Sequence, residues 1–109
     1  MFSFSTILEN VFNKVLPRHL SFGHTHLFTE KSIGVMHEII DVTSIAEWRF
    51  GTDMMDLYRS LMVMLSNNHS TKKVIKYLND GFAKNIDDLQ SIIDRSGFCS
   101  EIHCVVKKN

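Results

Sequence analysis

The chain has 109 residues, with twelve Lys plus Arg balanced by twelve Asp plus Glu, 44% hydrophobic residues, one proline and five glycines. That length is read as one domain, 1–109, able to bury roughly two-thirds of the surface of its unfolded chain without metal or disulfide staples. Low Pro plus Gly excludes a disordered tail or a collagen-like repeat, two cysteines exclude a Cys-stapled miniprotein, and zero formal charge removes the simplest argument for nucleic acid.

The opening stretch Met1 to Asn10 has no basic region, Glu9 interrupts its apolar residues and no small-residue cleavage site follows. No standard signal peptide is expected. The longest apolar run, Leu61 to Leu65, is far short of the ~18 residues that a membrane span needs. Cys99 and Cys104 then read as reduced thiols, and a cytoplasmic location is the expectation.

The first element is a helix over 5–16, where Ile7, Leu8, Val11, Phe12, Val15 and Leu16 form an i, i+3, i+4 stripe and Pro17 stops it. From Leu20 to Phe28 the period falls to two, which predicts a strand. Thr29 to Ser32 has the length of a hairpin connector. Ile33 to Val42, rich in β-branched residues, is then the returning strand, although Ile33, Met36, His37 and Ile40 also fit a helical stripe. Residues 45–50 fit either state, because Ser44 to Glu47 has capping-box spacing while Ala46, Trp48 and Phe50 alternate with Glu47 and Arg49.

The second half is clearer. Asp53 follows the Gly51-Thr52 break, and Met54, Leu57, Tyr58, Leu61, Met62 and Leu65 make a helical face through Ser66. This Met-rich helix carries apolar residues on more than one face, as a central helix does. A short helix with Val74, Ile75, Tyr77 and Leu78 should end at Gly81, and Asn85 should cap another that Gly97 closes. Phe98 to Val106 alternates once more, with Ile102, Cys104 and Val106 on one face and Cys99, Glu101, His103 and Val105 on the other. This last strand has to pair with the strand or strands between residues 20 and 42. The predicted fold is α+β, a sheet of about three strands with helices packed on it, in the order α-β-β-α-α-α-β.

Six histidines are the most unusual feature of the composition. On a strand, His24 and His26 point the same way about 6.8 Å apart. With Cys99 and His103 on a neighbouring strand they would make a zinc-type ligand set. The competing reading, in which these histidines are half-buried and hydrogen-bonded to backbone, is preferred, so no cofactor is assigned and zinc is the alternative. His19-Leu20-Ser21-Phe22 resembles one histidine motif of the two-histidine phosphoesterases. That family needs two copies, and the best second one, His103-Cys104-Val105-Val106, has valine where the hydroxyl belongs. No nucleophile elbow, phosphate-binding glycine loop or C-x-x-C is present.

Charge is unevenly placed. Lys72, Lys73 and Lys76 lie next to a stretch holding Asp80, Asp87, Asp88 and Asp94, a dipolar surface better suited to a charged protein than to nucleic acid. Asp53 with Asp56, and Asp87 with Asp88, sit where a helix N-terminus favours negative charge. Trp48, between Glu47 and Arg49, is the strongest aromatic candidate for an interface. The reading is of a small non-catalytic protein that binds a charged protein partner, such as a toxin or enzyme it inhibits, through Trp48, Asp53, Asp56, Asp87, Asp88 and Asp94. A histidine- or metal-dependent site at His24, His26 and His103 is the alternative.

Overall fold

The computed structural model describes residues 4–12 and 28–109. Within them helices α1 (Phe4–Phe12) and α2 (Glu30–Ile39) precede strand β1 (Val42–Arg49). Helices α3 (Asp53–Asn67) and α4 (Lys72–Phe82) follow, then a 3₁₀ turn at Ala83–Asn85, helix α5 (Ile86–Arg95) and strand β2 (Ile102–Lys108). The fold is α+β, with an antiparallel β1–β2 sheet among the described residues. Residues 20–27 of the predicted strand, the end of the first predicted helix and the motif His19 to Phe22 lie outside those residues.

Three local expectations are corrected. Ile33 to Val42 is not a returning strand, because Thr29 starts a helix instead of a hairpin. Its side-chain oxygen accepts from the Ser32 amide at 3.1 Å while the Ser32 hydroxyl oxygen accepts from the Thr29 amide at 2.7 Å, a reciprocal cap. The strand that β2 needs comes from the ambiguous segment, as β1. A bulge between Ser44 and Ala46 leaves Ile45 without a cross-strand partner. Gly81 does not end α4, which runs on to Phe82. Gly97 does occupy the left-handed region after α5, at φ 72°.

Helix α3 is the hub of the helical part, packed against α1, α4 and α5. Among the described residues the buried apolar ones are Leu8, Phe12, Met54, Ile86 and Cys99. The molecule measures 58 × 27 × 20 Å with a radius of gyration of 17.1 Å, against about 13 Å for a compact chain of this length. Among the described residues no helix is long and apolar enough to cross a membrane.

Candidate functional site

Alternation along the ribbon, read with the bulge, sorts its side chains onto two faces. Across the strands Arg49 pairs with Ile102, Glu47 with Cys104 and Ser44 with Val106, and these residues share one face. Helix α2 lies on that face. Arg49 forms an ion pair with Glu30 of α2 and a second, at 3.1 Å, with Glu47. The hydrogen bond to Glu30 is the main reason that the guanidinium holds its proton above the ordinary arginine range. A groove between the two elements is lined by Ile33, His37, Ser44, Glu47 and Ile102.

The other face carries Trp48 opposite His103 and Ala46 opposite Val105. Phe50 joins them just beyond β1. The imidazole of His103 is stacked between two aromatic rings, with its centroid 3.8 Å from that of Phe50 and 5.9 Å from that of Trp48, at interplanar angles of 7° and 13°. Its Nε2 is shielded from solvent and lies 3.3 Å from a Glu101 carboxylate oxygen, outside hydrogen-bonding geometry. The face is nevertheless open to solvent: Trp48 is 46% exposed and Ile45 63% exposed, with Phe50 and Val105 also exposed. Large apolar groups grouped on one open face, unlike scattered surface ones, mark interaction surfaces.

Asp53 has a different setting. It is fully buried at the start of α3 and accepts from the Ser100 amide at 3.0 Å, from the Ser100 hydroxyl and from the Gln90 side-chain amide at 3.3 Å. The Ser100 hydroxyl oxygen also accepts from the Ser5 amide of α1 at 3.0 Å. Gln90 in turn accepts from the Met54 amide at 2.9 Å and donates to Asp94 at 2.7 Å. The network clamps α1, α3, α5 and the 96–101 connection together. Gly51 makes it possible, because a Cβ there would lie 2.8 Å from the Asp53 carboxylate.

The residues proposed from sequence therefore divide. Trp48 is exposed, in the middle of the apolar face. Asp53 is withdrawn from the surface, and Asp94 is half-buried under Gln90, so the structure uses both inside the fold. Asp56 accepts from Thr52 at 3.0 Å in the first turn of α3, while Asp87 and Asp88 are exposed in the first turn of α5. His24 and His26 lie outside the described residues. Cys99 and His103 do not share a strand face as expected: Cys99 precedes β2, turned inward by the Gly97 bend, with its thiol donating to the Glu101 carbonyl at 3.4 Å. Burial pushes the Cys99 thiol above its ordinary range. Among the described residues no group of three His, Cys, Asp or Glu side chains is placed to hold a metal ion. Phe50, His103 and Val105 were missed as partners of Trp48, because only the strand register brings them together.

No protein-family model, curated protein or solved structure matches the chain.

Proposed function

We propose that this chain is a small non-catalytic protein-binding protein, of the inhibitor, antitoxin or accessory-regulator kind, whose partner is seated on the Trp48 face of the ribbon in a stoichiometric complex. The observation that carries this reading is the open apolar face itself. Trp48, Phe50 and Val105 stand exposed on the side of the β1–β2 ribbon that α2 does not cover, a grouping of large apolar side chains of the kind that marks an interaction surface. Interface cores favour such a composition, aromatic in the middle with charge at the margin, here Glu101 and Lys107. Lys72 and Lys73 on α4, and Asp87 and Asp88 on α5, are exposed. They supply the field that would steer a charged partner.

The test uses the immobilised full-length chain to capture proteins from its native cell, followed by titration of the purified captured protein in solution. A complex of fixed stoichiometry is expected, weakened about a hundredfold or more by Trp48→Ala, as for a central aromatic anchor. Its association rate should fall with added salt. A captured protein that binds Trp48→Ala as tightly as the native chain would remove the assignment of this face.

A further inference from the structure

We propose that a second copy of this chain pairs with it through α2, in an antiparallel helix pair about a two-fold axis. The sheet-facing side of α2 is set by Glu30, Ile33, Gly34 and His37, which lie towards β1. At 100° per residue, Val35, Met36 and Ile39 fall on the opposite side of the helix. All three are exposed, Ile39 by 76%. No residue of α2 is buried. An apolar stripe facing away from its own domain is the pattern of a helix that has two partners, of which the fold supplies one.

The charges on α2 point to what the other partner is. Lys31 and Glu38 are seven positions apart, so they lie on the same flank of that stripe, about 10 Å from each other along the axis. Neither takes part in an ion pair within the described residues, and both are exposed. Each is also placed against the preference of its own helix, a cation at the N-terminal end and an anion at the C-terminal end. A second α2 running antiparallel, with the axis between Gly34 and Val35, removes that conflict. Lys31 of one copy then meets Glu38 of the other, twice by symmetry, and the apolar stripes meet between them. Such an isologous arrangement needs one self-complementary patch, and this one is self-complementary in charge and in shape of pattern.

The Trp48 face is on the other side of the ribbon from α2, so this pairing leaves it free. The dimer would display two such faces, and the two surfaces can be tested separately.

The experiment is sedimentation velocity of the full chain over about 5–200 µM, a range that covers weak to moderate dimers, at low and high salt. A dimer is expected, and Ile39→Lys should leave only monomer. Lys31→Glu alone and Glu38→Lys alone should each weaken the dimer about tenfold, since each turns two attractions into two repulsions. The combined Lys31→Glu, Glu38→Lys chain should regain native affinity. Either single change suits the helix dipole, so far-UV dichroism should stay native and unfolding of α2 would not account for the loss. A native chain that stays monomeric, a dimer that survives Ile39→Lys, or a double variant no better than the single ones overturns the proposal. Loss of the dimer in Trp48→Ala would also overturn it, by moving the contact to the ribbon. None of these outcomes decides the titration of a captured partner, which rests on the other face.

Discussion

Around Asp53 the protein buries polar groups, while on the open face of the ribbon it leaves large apolar ones in water. Asp53 and Ser60 are among the most completely buried side chains of the described residues, and Trp48, Phe50, Ile45 and Val105 are among the exposed ones. The inversion follows from what each group has to satisfy. A carboxylate can be buried once donors surround it, and Asp53 has two from Ser100 and one from Gln90. Among the described residues the helices lie elsewhere, α2 on the ribbon's far face and the others around α3. The clamp at Asp53 is thus a device for holding this chain together, and the ribbon face is the surface proposed to meet another.

The largest expected effect comes from breaking the clamp. Asp53→Ala leaves the Ser100 amide and the Ser100 hydroxyl without their acceptor and the Gln90 amide with Asp94 alone, and each stranded group costs about 1–3 kcal/mol. A loss of about 3 kcal/mol or more in urea unfolding, followed by far-UV dichroism, is expected. Ser100→Ala should cost less, because a backbone donor to Asp53 survives it. A double-mutant cycle between them should show strong coupling, as their effects run through shared bonds. A change under about 0.5 kcal/mol for Asp53→Ala, typical of an ordinary surface site, would put the clamp outside the cooperative fold.

Trp48→Ala should do the reverse. Its loss removes the stacking on His103 and the covered half of the ring, Trp48 being 46% exposed, so stability should fall by about 1–2 kcal/mol, less than for Asp53→Ala. Binding of a captured partner should suffer more, by about 2.8 kcal/mol or beyond, the equivalent of a hundredfold loss. If the two variants gave equal losses of stability, the contrast between an internal clamp and an external surface would be wrong.

How far this contrast was legible in the sequence depends on which physical signal carried each part. Helix α3, helix α5 and the turn at Gly97 were legible because periodicity, capping and a left-handed glycine are local signals. Helix α2 was not, since a β-branched composition at Ile33 and Val35 outweighed the reciprocal Thr29–Ser32 cap, and the cap decided the outcome. Strand β1 stayed ambiguous because the capping-box spacing of Ser44 to Glu47, a helical signal, competes with the alternation of Ala46, Trp48 and Phe50. Trp48 stood out by residue type alone. Asp53 was assigned to the surface with Asp56, because first-turn carboxylates are ordinarily solvated. Its burial depends on Ser100 and Gln90, 47 and 37 residues away, and no local pattern announces contacts of that range.

The two cysteines offer a smaller effect that compares the clamp with the α2 side of the ribbon. Cys99 adjoins the clamp, buried and with its thiol held above the usual range by desolvation. Cys104 is exposed on β2, opposite Glu47. Thiolate is the reactive form, so at pH 8 Cys104 should be alkylated in the native protein well before Cys99. Mass spectrometry of partially labelled protein reads the order. Asp53→Ala should bring the two rates closer by loosening the clamp, whereas Trp48→Ala should leave the order as it is. Equal rates in the native chain would show that the clamp region opens freely.

The smallest effect lies in α4, which has no buried residue and so belongs to neither region. Packing contributes little there, and local propensity should decide. Gly81 sits inside this helix, with nothing within 4 Å of where a Cβ would be placed. Alanine at that position restricts the unfolded chain and meets no obstacle in the folded one, so Gly81→Ala should stabilise by about 0.4–1 kcal/mol. The Asn85 side chain, which donates to the Gly81 carbonyl at 2.8 Å, keeps its acceptor in the variant. Loss of stability would mean instead that Gly81 takes up the left-handed conformation of a helix end, as its sequence context first implied. A gain would place the end of the helix beyond it, at Phe82, and would show that this exposed arm is limited by its backbone and not by its contacts.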